Sequence, residues 1–317
     1  MTLFYCSICL AEQIEPFEET QQHLWVFEHV ESVLGVLDEN YVYPKTAAQM
    51  REAVTANLKL KKYSNSNTLT DLLSQLQADL REVSNDGHLS LHMVENQQDP
   101  LSQIRPSTAG NRKIITRLET VGADQKKLGL IRFNKFSGNE QQRRDAIESM
   151  AELSIADFIV IDLRENIGGS PQFASLLISY FVDQDIPLWS VLDRNENTIM
   201  QARSATELPP AANRFDGALY ILTSAKTYSA AEAFTYTLKH LKRATVVGEA
   251  TGGGAHLVEM MRVSDQISIR IPTARAHNPI TQSNWEGVGV IPHILVNDES
   301  AEAAAINNFL TRTGSSN

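Results

Sequence analysis

Apolar side chains between residue 12 and about residue 77 recur at helical spacing. Trp25, Val26, His29, Val30 and Val33 mark one stripe, Tyr43-Pro44 interrupts it, and Ala47 to Leu60 resumes it. A polar turn at Ser64 to Asn67 separates this stretch from a third amphipathic helix, Leu69 to Val83. The period then changes. Leu89, Leu91 and Met93 alternate with Ser90, His92 and Val94, which predicts a strand, and residues 95 to 112 are a polar connector. From Leu128 onward apolar strands alternate with helical segments: strand Leu128–Phe133, helix Glu140–Ala151, strand Ala156–Leu163 and helix Pro171–Phe181. Strand Ala218–Leu222, helix Ala230–His240 and strand Thr245–Val247 follow, and Leu257 to Ile271 reads as a hairpin. This pattern predicts an α/β core (84–317) behind an N-terminal helical domain (12–83).

The 317 residues include 42% apolar ones, enough for a substantial core. The formal charge of −10, with no basic run or interleaved basic and aromatic stripe, argues against nucleic acid as a partner. Cys6 and Cys9 form a C-x-x-C without a second ligand pair, which supports neither zinc nor dithiol chemistry. They lie in a short apolar opening at residues 1–11 that resembles part of a secretory signal, so export is expected. No later segment reaches the ~18 to 20 apolar residues that cross a bilayer, so no membrane span is expected.

The candidate nucleophile is Ser229. The strand Ala218–Leu222 runs through a Ser/Thr turn into a helix that begins at Ala230, placing Ser229 at or beside the N-cap. Unpaired amides and the positive end of the helix dipole would face an oxyanion there. Ser229 followed by Glu232 is also a capping box, which needs no chemistry. A second turn, Asp162 to Pro171, follows a buried strand and opens a helix; the amide of Gly169 or Gly168 could complete an oxyanion hole with that of Ala230. Serine needs a base, preferably an oriented histidine. His88, in Asp86-Gly87-His88, is the first candidate and His256, after Gly252-Gly253-Gly254-Ala255, the rival, a substrate contact or structural role being equally open to it. Glu286 could orient the base.

Several of these segments together resemble the tail-specific, or C-terminal-processing, serine peptidases, in the branch related to interphotoreceptor retinoid-binding protein. The motifs are Tyr41-Val42-Tyr43-Pro44, Asp86-Gly87-His88, Asp162 to Gly169, Thr227 to Glu232, Gly248 to Gly254 and Asn284 to Pro292. The resemblance implies a crotonase and Clp protease-like spiral core. Bacterial tail-specific members use a Ser–Lys dyad, and the lysine position falls on Gly253. The distantly related tricorn core protease uses an early histidine and a late glutamate, matched by His88 and Glu286; the serine before its histidine is replaced by Gly87. The connector between Val94 and Leu128 is too short for a PDZ domain.

The resemblance therefore implies a serine peptidase acting on peptide or protein substrates. Ser229 would attack, His88 would serve as base and Glu286 as orienting group, while Gly168 or Gly169 and Ala230 would hold the oxyanion. Gly253 and His256 are expected substrate contacts. No metal or organic cofactor is implied. The alternative is a non-catalytic binder of apolar ligands on the same scaffold. Substrate sequence and oligomeric state are not set by the sequence.

Overall fold

The computed structural model describes residues 17–94, 114–208 and 213–314. The apolar opening and the connector at 95–112 therefore lie outside the described residues. Three helices lead: α1 (Phe17–Asn40), α2 (Pro44–Lys59) and α3 (Leu69–Ser84). Pro44 at the first turn of α2 gives up an amide that has no helical partner anyway. Thr68 caps α3 by accepting from the Asp71 amide, and Asn85 ends it in the left-handed conformation. The stripes seen in the sequence become one core: Val30, Val33, Leu37, Met50, Val54, Leu72, Leu76 and Leu80 are fully buried. At roughly 1.5–3 kcal/mol per buried aliphatic side chain, this face holds the helices together far more than propensity does. Leu91 and Ile267, Ile269 and Ile271 complete the same core from the first sheet.

That sheet is built around a long strand, β10 (Ile267–His277). One edge of β10 pairs first with β1 (Ser90–Met93) and then with β5 (Pro187–Asp193); the other edge pairs with β9 (His256–Arg262). Strand β6 (Thr198–Arg203) extends the β5 edge. The hairpin read in the sequence is thus β9–β10.

The second sheet has the order β11-β8-β7-β4-β3-β2. Its strands are β2 (Ile115–Val121), β3 (Lys126–Arg132), β4 (Phe158–Asp162), β7 (Ala218–Thr223), β8 (Thr245–Gly248) and β11 (Ile294–Leu295). All neighbours are parallel except β2–β3. Helices α4 (Glu140–Glu152), α5 (Pro171–Ile178) and α6 (Ala230–His240) cover one face through Met150, Phe173, Leu177 and Phe234. Helix α7 (Ala301–Arg312) covers the other, with Phe309 stacked on Phe158 at 3.9 Å. Burial on both faces explains why β4 reads as one continuous apolar run.

Strands β2, β5, β6 and β11 and helix α7 were not foreseen. In β6 no position is fully buried and polar residues sit among apolar ones, so the period-2 signal is weak. The parallel pairing of β4 with β7 sets the turns that follow them side by side, at the carboxyl ends of the strands, where open α/β sheets place ligands.

Candidate active site

Ser229 sits at the N-terminus of α6 with φ 54° and ψ −121°, a sparsely populated conformation that costs a non-glycine residue about 1–3 kcal/mol. Neighbouring groups hold it there. The Tyr228 amide donates to the Asn166 carbonyl at 3.0 Å, and the Ser229 amide donates to Glu232 Oε2 at 2.8 Å. The capping box foreseen at this position thus forms through its glutamate, and the strained backbone coexists with it. The Ala230 amide has no hydrogen-bond partner among the described residues.

The turn after β4 presses against this serine. A Cβ on Gly168 would lie 2.7 Å from the Tyr228 carbonyl oxygen and 2.8 Å from Ser229 Cβ, so only glycine fits. Of the two glycines offered as oxyanion donors, Gly168 gives its amide to Asn166 Oδ1 at 2.8 Å. The Gly169 amide has no partner among the described residues, and Gly169 is therefore the better donor to set beside Ala230.

Asp86 is the hub of the polar cluster, although sequence reasoning gave it no role. It is 1% exposed. Its Oδ1 accepts from the His88 amide at 2.9 Å, and its Oδ2 accepts from the Tyr41 hydroxyl at 2.9 Å and from His256 Nδ1 at 2.7 Å. Burial alone would raise its pKa, but the hydrogen bonds and the His256 charge hold it below the usual carboxylate range. Tyr41, from the Tyr-Val-Tyr-Pro motif, is thereby part of the site, and Tyr43 of the same motif meets the His256 ring edge-on at 5.4 Å.

The two histidines differ in how they are held. His88 Nδ1 is 3.4 Å from the Tyr228 hydroxyl and 3.9 Å from Asp86 Oδ1. Burial pushes its imidazole down to about 4 against the pull of Asp86, which keeps the ring neutral at physiological pH. His256, 5% exposed, takes the short bond to Asp86, and its Nε2 is buried with no partner among the described residues. Glu286 stands beside His256 rather than beside His88. Its Oε2 lies 3.6 Å from His256 Nδ1 and accepts the Ala255 amide, and burial pushes its carboxyl up to about 7. The ligand atoms of Asp86, His256 and Glu286 lie within 4.8 Å of one another, close enough to hold a cation. The Asp86–His256 hydrogen bond already accounts for that closeness.

Glu232 ties the nucleophile to the glycine loop. This fully buried carboxylate accepts the Gly253 amide and the Thr251 hydroxyl on Oε1, and the Ser229 and Gly254 amides on Oε2. Burial nevertheless leaves its pKa raised. The late motif clamps the same loop: Trp285 Nε1 donates to the Gly254 carbonyl at 2.8 Å, and the Gly287 amide donates to the Gly253 carbonyl at 2.9 Å. A side chain at position 253 would meet the backbone of Gly287 to Gly289, whereas a Cβ at 254 would point at Tyr228 Cζ (2.2 Å) and His88 Cε1 (2.6 Å). Position 254, not 253, therefore faces the site. The Tyr228 ring fills that space, resting where side chains at Gly252, Gly254 and Gly87 would be, and its hydroxyl lies 2.7 Å from a Cβ on Gly87.

Ser229, Ala230, Gly254 and His256 line one small cavity of about 40 Å³, with Trp189, Val191, Met200, Ala276 and Trp285 forming apolar walls. A serine strained at a helix mouth, unpaired amides and a histidine held by a buried carboxylate are the kinds of group that nucleophilic acyl transfer uses.

Comparison with known proteins agrees with this class. The chain belongs to peptidase family S41, whose model matches residues 127–296, and residues 22–123 match the N-terminal domain of peptidase S41 in eukaryotic IRBP. It is 29% identical over 175 residues to a carboxyl-terminal-processing protease of Picosynechococcus sp. and 26% identical over 193 residues to chloroplastic carboxyl-terminal-processing peptidase 2 of Arabidopsis thaliana. These matches cover 55% and 61% of this chain but only 40% and 36% of the relatives. In fold it is similar to the photosystem II D1 C-terminal processing protease (TM-score 0.56, 15% identity, 88% of this chain and 94% of that one). The α/β core with an N-terminal helical region, inferred from the sequence, is the fold observed. Among the described residues no helix is long and apolar enough to cross a membrane.

Proposed function

We propose that the chain is a serine-type peptidase in which Ser229 Oγ attacks the carbonyl carbon of a peptide bond. The observation that carries this reading is the backbone of Ser229, held in a strained conformation beside the unpaired amides of Ala230 and Gly169. Such strain persists where surrounding structure enforces it, and free backbone amides beside the nucleophile are what a developing oxyanion requires. The serine proton passes to an imidazole of the pair anchored on Asp86, which returns it to the leaving amine. Water then hydrolyses the acyl ester. Family membership and the processing peptidases among the relatives support peptide or protein substrates. The cavity beside Ser229, about 40 Å³, is far below the ~300–1,000 Å³ that small-molecule sites occupy, so an apolar ligand would need another site on the molecule.

The test is labelling with a fluorophosphonate probe, followed by mapping of the modified peptide. Modification at Ser229, lost in Ser229→Ala, is the expected result. A folded wild-type protein that takes no label and cleaves no member of a peptide library would sink the reading.

A further inference from the structure

We infer that His256, and not His88, is the general base that activates Ser229, in a triad of Ser229, His256 and Asp86. The inference rests on the reading of Ser229 as the nucleophile and assigns the proton path within it.

Three observations converge. First, Asp86 Oδ2 accepts from His256 Nδ1 at 2.7 Å, which fixes the tautomer with its proton on Nδ1 and leaves Nε2 as the acceptor. Second, that Nε2 is buried and no group among the described residues bonds to it, so an acceptor is kept unsatisfied beside the nucleophile's cavity. Third, His256 and Ser229 line the same cavity, which His88 does not. His88 has neither a ring hydrogen bond to Asp86 nor a place in that cavity. Its backbone amide, not its ring, takes the short bond to Asp86, and Nδ1 sits 3.4 Å from the Tyr228 hydroxyl with the two rings in contact. His88 is a positioning residue that supports Tyr228 next to the nucleophile.

The groups facing His256 complete the account. Asp86 and Glu286 lie at Nδ1, Tyr43 at the ring edge, and Arg275 stands over the Tyr43 ring at 5.2 Å. The Asp86 carboxylate at Nδ1 stabilises the imidazolium formed when Nε2 takes the Ser229 proton. As Oγ bonds to the carbonyl carbon, the proton moves to Nε2; when the C–N bond breaks, it passes to the leaving nitrogen, and the Asp86 carboxylate is unchanged throughout.

The experiment compares His256→Ala and His88→Ala in the full chain, by fluorophosphonate labelling rate and hydrolysis of the best library peptide, with and without added imidazole. Circular dichroism and thermal melting establish that each variant is folded. The expected result is a loss of at least about a thousandfold in His256→Ala with partial recovery in imidazole, as small bases restore a missing base but not a missing support. His88→Ala should lose less, with no imidazole response. Imidazole rescue of His88→Ala and not of His256→Ala would overturn the inference while leaving Ser229 as nucleophile. If His256→Ala does not fold, His256→Gln replaces it, and retained wild-type labelling in that variant overturns the inference too. A wild type that never labels removes the nucleophile itself, and the triad with it.

Discussion

Glu232 Oε2 accepts the amide of Gly254 at 2.8 Å, and this bond fixes the distance between the nucleophile's helix and the loop that leads to His256. Both carboxylate oxygens are doubly occupied: Oε1 by Gly253 and Thr251, Oε2 by Ser229 and Gly254. Glu232→Gln keeps the shape but sets an NH₂ group against the Ser229 and Gly254 amides in one orientation and against the Gly253 amide in the other, inside a fully buried site. The expected loss is about 2–4 kcal/mol, read as a lower urea midpoint at unchanged slope, together with loss of labelling at Ser229. An unchanged midpoint would show that the loop is held by other means.

His88 and Glu286 act on stability in opposite directions over nearly the same pH range. The His88 imidazole, pushed down by burial to about 4, stays neutral in the fold while the unfolded chain binds a proton. Its contribution is present above the unfolded value near 6.5 and falls away as pH drops towards 4. Glu286, pushed up by burial to about 7, keeps its proton in the fold after the unfolded chain has lost it. Its contribution is present below about 4.5 and is lost as pH rises through 7. The two slopes largely cancel in the wild type. His88→Gln should therefore become less stable as pH rises from 4.5 to 7, and Glu286→Gln more stable as pH rises from 4 to 6.5, each by about 2 kcal/mol. Urea unfolding at four or five pH values tests this, and parallel profiles for the two variants would refute it.

Much of this was legible in the sequence, and the rest was hidden for physical reasons. Helix α6 was placed at its observed bounds because an uninterrupted run of helix formers follows a Ser/Thr turn. The Ser229 elbow and the glycine turn were legible because their residue types state what the backbone must do. Partners across the fold were not. Asp86, 170 positions from His256, looks like a turn residue until β1 and β9 are joined through β10. Tyr41 and Tyr228 stand in the sequence only as members of motifs, and only the fold shows where their hydroxyls reach. The expected pairing of Glu286 with His88 came from the family resemblance; the packing of the loop after β10 sets Glu286 beside His256 instead.

Gly254 has no side chain because Tyr228 fills the space. A Cβ there would lie 2.2 Å from Tyr228 Cζ and 2.6 Å from His88 Cε1, neither of which can swing away cheaply. Gly254→Ala should cost about 1–3 kcal/mol by overpacking in the wild-type background. Truncating the ring frees the space, so the same change in a Tyr228→Ala background should cost markedly less. A double-mutant cycle by thermal unfolding should give a coupling of about 1 kcal/mol or more; strict additivity would mean that the strain lies elsewhere.

The cavity beside Ser229 is walled by Trp189, Val191, Met200, Ala276 and Trp285 and has a volume of about 40 Å³. On the proposed reading it receives the side chain next to the scissile bond, and its walls away from Ser229 and His256 are mostly apolar. Peptides with alanine at that position should be cleaved with kcat/KM at least about tenfold above those with phenylalanine, since one methylene too many is worth about 10-fold or more in a small apolar pocket. Met200→Ala removes a flexible wall and should narrow the ratio by raising the phenylalanine value, leaving the alanine value within about threefold. Equal cleavage of both peptides by the wild type would mean that this cavity does not receive the side chain.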